Sequence, residues 1–201
     1  MQSIQTKLTV MLMLAGLVLT CPAGFQAFSY DGSLTRETLR GLQGIEVLVE
    51  NIAPEAERDG LTRRQVQTDV ELRLRRAGIR VLSDEEGHTT PGRPCLYINV
   101  HTSKRDGRGF YAYHVTVALN QDVRLARDLA MESLGTTTWS VSTVGSVGEA
   151  RTREVRETVH DGVDEFINAY LAENPEQAGG ERRSQAPGDR IPEASIIQQM
   201  Q

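Results

Sequence analysis

A chain of 201 residues has room for one domain with tails, which excludes most large enzyme architectures. Its formal net charge of −5 disfavours a general binder of nucleic acid or of anionic membranes, because like charges repel. Two cysteines cannot build a disulfide framework, and an aromatic content of 5% argues against an aromatic-lined ligand groove.

Met1 to Lys7 carries one positive charge, and Leu8 to Thr20 is uncharged. A spanning helix needs roughly twenty apolar residues, so this run is too short to cross a bilayer. A cation, a short apolar run and then small residues form the secretory pattern. Residues 1–23 are therefore expected to be a signal peptide, and the mature chain is expected in the periplasm or tethered at the cell envelope. Two processing patterns compete. Leu19-Thr20-Cys21 is similar to a lipoprotein box, which makes Cys21 a candidate for lipidation, with Thr20 where Gly, Ala or Ser is usual. Cys21-Pro22-Ala23 is a small-x-small site for simple cleavage. Membrane association follows only if Cys21 is acylated, and either path leaves Cys95 as the one free thiol.

Residues 24–41 read as a flexible leader, and 42–172 as a single α+β domain. From residue 173 to 201 the chain is rich in Gly, Pro and Gln and buries too little apolar surface to offset its ordering entropy, so it reads as a disordered tail. Within the domain, Ile45, Val47 and Val49 alternate as a first strand. Thr62 and Gln65 have capping-box spacing, Val66, Val70, Leu74 and Ala77 recur at helical spacing, and Gly78 supplies the stop. Ile79 to Leu82 reads as a second strand, and Ser83 to Pro94 as a mobile acidic and Pro-rich loop.

Leu96, Ile98 and Val100 mark a third strand. Beyond Gly109, Tyr113, Val115, Val117 and Leu119 share one parity, with His114, Thr116, Ala118 and Asn120 on the other. Thr136 to Val144 repeats the alternation, and the three segments form an antiparallel meander. Gly145 to Gly148 reads as a turn. Val155, Val159, Val163, Phe166 and Tyr170 then form the apolar stripe of a last helix, ended by Asn174-Pro175. Two amphipathic helices on one face of a mostly antiparallel, five-stranded sheet bury all of these stripes, in a two-layer α+β sandwich.

Gly44-Ile-Glu-Val-Leu-Val-Glu-Asn51, Val66 to Gly78 and Ile79 to Leu82, with the element order around them, resemble the small α+β domain of envelope-assembly lipoproteins. That group comprises the lipopolysaccharide-assembly lipoprotein, the N-terminal domain of the Tol-system propeller protein and the curli-secretion lipoprotein core. The likeness covers roughly half the chain as local pattern. It implies an adaptor or accessory protein and brings no catalytic or binding motif with it.

Residue chemistry points the same way. No His or Cys pair has a standard zinc-ligand spacing, so neither a metal site nor a cofactor is expected. Cys95 lacks a nucleophile turn or oxyanion-hole pattern, and Ser140, Ser142 and Ser146 lack the Gly-x-Ser-x-Gly elbow. No catalytic residue is expected. Asp84, Glu85, Glu86, Asp161, Asp164 and Glu165 read as solvated faces. His101 and His114 fall on the polar parity of neighbouring strands, where a hairpin would place them side by side as a pH-sensitive pair. Lys104, Arg105 and Arg108 lie beside Phe110, Tyr111 and Tyr113, a candidate contact for an anion or lipid headgroup. Asn99, His101, His114 and Thr116 mark a polar sheet face. Through that face or an edge strand the chain is expected to bind another envelope protein, and no nucleic acid. The competing expectation is a soluble periplasmic small-ligand binder or enzyme whose site is built from scattered loops.

Overall fold

A computed structural model describes residues 26–105 and 109–178. Strand β1 (Gln26–Tyr30) leads into helix α1 (Ser33–Arg36) and a 3-10 turn (Glu37–Leu39). Strand β2 (Glu46–Val49) is followed by α2 (Pro54–Arg58), α3 (Arg63–Arg76) and α4 (Asp84–Thr89). Strands β3 (Cys95–Arg105), β4 (Phe110–Leu125) and β5 (Asp128–Gly148) come next, then α5 (Arg153–Glu173) and α6 (Pro175–Ala178). The strands form one five-stranded sheet in the order β1-β5-β4-β3-β2, parallel only between β2 and β3. This is the α+β sandwich that the hydrophobic patterning predicts.

Side chains alternate across a strand, so register dedicates one sheet face to the helices. Leu96, Ile98 and Val100 stand opposite Leu119, Val117 and Val115, and Val117 and Leu119 stand opposite Val141 and Trp139. All are buried, together with Val66, Val70 and Leu74 of α3 and Val155, Val159, Val163 and Phe166 of α5. Trp139 is the largest fully buried side chain, its ring edge-on to Phe166 at 5.3 Å. Gly162 lets α5 approach the sheet closely: a Cβ there would stand 2.9 Å from a Val117 methyl. Thr62 caps α3 by accepting from the Gln65 N–H at 3.4 Å, and Gly78 follows the helix at φ +78°. Both match the sequence reading.

Five expectations need correction. Residues 26–41 are no flexible leader. β1 pairs with β5, and Asp31 accepts from the buried Trp139 indole N–H at 2.7 Å. The buried Asn174 side chain also donates to the Leu39 carbonyl at 2.9 Å and accepts from the Gly41 N–H at 2.8 Å. Ile79 to Leu82 makes a single parallel bridge, Val81 to Ile45, and is no full strand. Ser83 to Pro94 contains α4 because Ser83 and Glu86 cap each other reciprocally. Gly145 to Gly148 continues β5, where Gly145 is needed because the Tyr113 ring lies 2.6 Å from where its Cβ would be. The expected tail of 173–201 is ordered at its start, where Glu173 ends α5, Asn174 is buried and α6 follows; the rest of it and the expected signal peptide lie outside the described residues.

Because the Trp139 donor is buried, Asp31→Ala is expected to destabilise by about 1–3 kcal/mol in urea titration. Trp139→Ala is expected to cost about 3–5 kcal/mol. An unchanged midpoint for Asp31→Ala would return residues 26–41 to the status of a loose leader. Hydrogen bonding from Arg36, and from Trp139 against the effect of burial, holds the Asp31 carboxyl below its ordinary value of 3.8. Its folded pKa is thus below its unfolded one, so this contribution is complete above about pH 4–5 and is lost as pH falls. Asp31→Asn should flatten the acid limb of stability against pH.

Candidate interaction face and polar clusters

The sheet face opposite the helices has no layer over it among the described residues. Register brings the four residues of the expected binding face together: Asn99 stands opposite Thr116, and His101 opposite His114. The rows continue onto β5 and β1, from Thr116 to Ser142 and Phe28, and from His114 to Val144 and Gln26. Thr116 Oγ1 lies 3.0 Å from Ser142 Oγ and 3.3 Å from His114 Nε2. The Asn99 amide donates to Glu50. The face is therefore a short-range polar lattice, flanked by apolar side chains at both margins. Leu48 is exposed at the β2 margin, and Phe28, Tyr30 and Val144 at the β1 margin, Phe28 and Tyr30 at 62% and 60%.

The two edges differ. Along β2, the outward carbonyls of Val47 and Val49 accept from Gln67 Nε2 at 2.9 Å and Arg63 Nε at 2.6 Å. Ile45 exchanges backbone bonds with Arg80 and Leu82 at 2.9 and 3.0 Å. Side chains of α3 thus occupy the groups that an added strand would need. On the other side, β1 bonds only to β5 and leaves its outer edge unpaired among the described residues.

Of the expected basic cluster, only Lys104 has a described side chain. Lys104 projects on the helix side above Tyr111, its Nζ 5.4 Å from the ring centroid, 3.4 Å from Glu149 and 3.6 Å from Asp59. Burial opposes its charge, but Glu149, Tyr111 and Asp59 outweigh that and raise its pKa. The Tyr111 hydroxyl donates to Asp59 at 2.6 Å and, with Lys104, holds that carboxyl below its ordinary value despite partial desolvation. Lys104 is thus neutralised locally and closes the end of the core, leaving little charge for an anion. Arg105 is the last residue of β3, and Arg108 and Cys21 lie outside the described residues.

Between the long helices, Asp69 accepts from Arg156 and lies 3.0 Å from His160 Nε2, while Arg73 holds both Asp164 oxygens at 2.7 and 2.8 Å. These pairs fasten α3 to α5 across their solvent side. Asp164 is half-exposed but paired, and its partner lies on another helix, which spacing cannot show.

One grouping was missed altogether. Donor atoms of Glu46, Asp84 and His88 converge to within 4.8 Å of one another. The Asp84-x-x-x-His88 spacing was visible, but its meaning depended on a helix in a segment read as loop. Beside it, Cys95 stands opposite Glu46 in the parallel pair. Burial, with a smaller effect from the Glu46 charge, pushes its thiol up to about 12. Against its ordinary value of 9.0, the thiolate fraction at neutral pH falls by about a thousandfold. Alkylation of Cys95, followed by peptide mass mapping, should therefore be slower in the folded protein by about that factor and recover in denaturant.

No family model matches the chain, and no curated protein does. Among solved structures, it is similar to a PelC dodecamer from Paraburkholderia phytofirmans, at 14% identity and a TM-score of 0.41. A single-residue variant of that dodecamer gives 14% and 0.42. Each match covers 70% of this chain and 96% of the other. Overlap at this level carries no argument about function.

Proposed function

We propose that this chain is a non-catalytic accessory protein of the bacterial cell envelope that binds another envelope protein through its uncovered sheet face and free β1 edge. The observation that carries the reading is the asymmetry of the sheet. One face is packed by α3 and α5 and the β2 edge is occupied by Gln67 and Arg63. Among the described residues the opposite face remains open, and the aromatic side chains Phe28 and Tyr30 stand exposed where it meets the unpaired edge. Strand addition uses such an edge for backbone hydrogen bonds and the adjoining face for side-chain selection. Exposed aromatics beside small polar residues suit an extended partner segment with alternating apolar side chains.

Export rests on the apolar N-terminal run with Lys7 before it, and tethering on Cys21. Among the described residues no helix is long and apolar enough to cross a membrane. Intact mass of the mature protein from separated membrane and soluble fractions decides between the two paths. Added acyl mass on a chain beginning at Cys21 means a tethered accessory protein, and an unmodified chain beginning at Gly24 means a diffusible one.

For the docking face, single cysteines at Ser142 and Thr116 in a Cys95→Ser background are expected to crosslink a protein partner in intact cells. Tyr30→Asp should cut that yield by roughly tenfold or more, the effect of losing an aromatic anchor. Capture only from control positions on the helix side, such as Arg75 and Glu165, would overturn the reading. So would a yield that Tyr30→Asp leaves unchanged.

A further inference from the structure

The crossover from β2 to the parallel strand β3 passes through α4, and α4 lies against the start of β2. Its capping box fixes the first turn: Ser83 Oγ accepts from the Glu86 N–H at 3.3 Å and the Glu86 carboxylate accepts from the Ser83 N–H at 2.9 Å. Asp84 and His88 then fall four residues apart, on one side of the helix. Asp84 Oδ1 and His88 Nδ1 are 3.8 Å apart.

Glu46 comes to the same place from β2. It can do so because residue 87 is a buried glycine, whose missing side chain leaves the space that the Glu46 carboxylate fills. One donor atom from each of the three residues lies within 4.8 Å of the other two. The nearby guanidinium groups are engaged elsewhere, Arg80 by Glu86 and Arg93 by Asp122 at 2.5 Å. Two carboxylates therefore converge on one imidazole, and the Arg93 charge that also acts on Glu46 is held by Asp122.

We propose that Glu46, Asp84 and His88 form a surface site for a divalent late first-row cation of the zinc type, which clamps α4 to β2. The donor set decides the class. One imidazole nitrogen with two carboxylate oxygens suits zinc and its neighbours, whereas calcium and magnesium take oxygen ligands throughout. Ligand bonds of about 2.0–2.2 Å require the donor atoms to close to roughly 3.3–3.6 Å. Asp84 and His88 are free to make that adjustment, with 85% and 66% of their side-chain surface exposed. Water completes the coordination on the solvent side, as at a site with three protein ligands. The inference rests on a different part of the molecule from the docking face and stands or falls separately.

Calorimetric titration of the full mature chain with zinc chloride tests it, together with NMR of the histidine rings. One equivalent should bind, and the His88 ring signals should move before those of His101, His114 or His160. Glu46→Gln and His88→Ala should each weaken binding by at least the roughly 10–100-fold seen when only an outer partner of a metal ligand is lost. Asp84→Asn, at the most exposed of the three positions, gives a third variant that keeps the fold, verified by circular dichroism. The proposal is overturned by absence of zinc uptake, by uptake that these variants leave unchanged, or by uptake lost only in Cys95→Ser. Calcium binding in preference to zinc would overturn the assigned class.

Discussion

The two-residue period of β4 is the constraint on which the rest of the molecule depends. β4 lies at the centre of the sheet and pairs along most of its length with β3 on one side and β5 on the other. Its buried parity, Tyr111, Tyr113, Val115, Val117 and Leu119, faces the helices; its other parity carries His114, Thr116 and Asn120. A slip of one residue would drive imidazole and hydroxyl groups into the core and expose five large apolar side chains. Register is therefore held by the whole hydrophobic set at once. Gly162 and Gly145 are the two places where this packing demands a missing side chain, one under Val117 and one under the Tyr113 ring.

A sheet organised in this way has one committed face and, among the described residues, one uncovered face, and the periphery treats its edges differently. Side chains of α3 occupy the β2 carbonyls, which removes the commonest route to unwanted strand pairing. The β1 edge is held from below instead. Asp31 beneath Trp139, and Asn174 between Leu39, Gly41 and Tyr170, bind the first described strand and turn to β5 and to the end of α5. Ion pairs between α3 and α5 add modestly to this, since partly exposed pairs contribute little each. The result is a frame rigid on one side, with its small polar residues and exposed aromatics displayed on the other.

The α4 region shows how local and distant information combine. Ser83 and Glu86 have the spacing of a capping box, yet the run Thr90-Pro-Gly-Arg-Pro94 made the whole segment look like loop. The cap prevails over its first turns, and the prolines act only after residue 89. Once α4 exists, Asp84 and His88 share a side of it. Glu46 belongs to another element, and only the parallel crossover brings it alongside, through the gap left by Gly87. In the same way Lys104 reads as a free cation beside aromatics, whereas Asp59 and Glu149 reach it from the ends of other elements.

Periodicity and local end signals determined the layer architecture, both long helices, the Thr62 cap and Gly78 stop of α3, and the central meander. Each depends on side chains a few residues apart, and burying an apolar stripe leaves few ways to arrange it. Periodicity also placed Asn99, His101, His114 and Thr116 on one polar face, because register follows from the same alternation. Tertiary structure alone decided that residues 26–30 form an edge strand. They are held to β5 by backbone pairing and by the contact of the next residue, Asp31, to Trp139 more than a hundred residues away. It also decided that Ile79 to Leu82 makes one bridge, that Lys104 is neutralised, and that Glu46 meets α4. These outcomes turn on pairings between distant segments, which carry no local signature: hydrogen bonds and charges depend on distance in space, and the fold alone sets that distance.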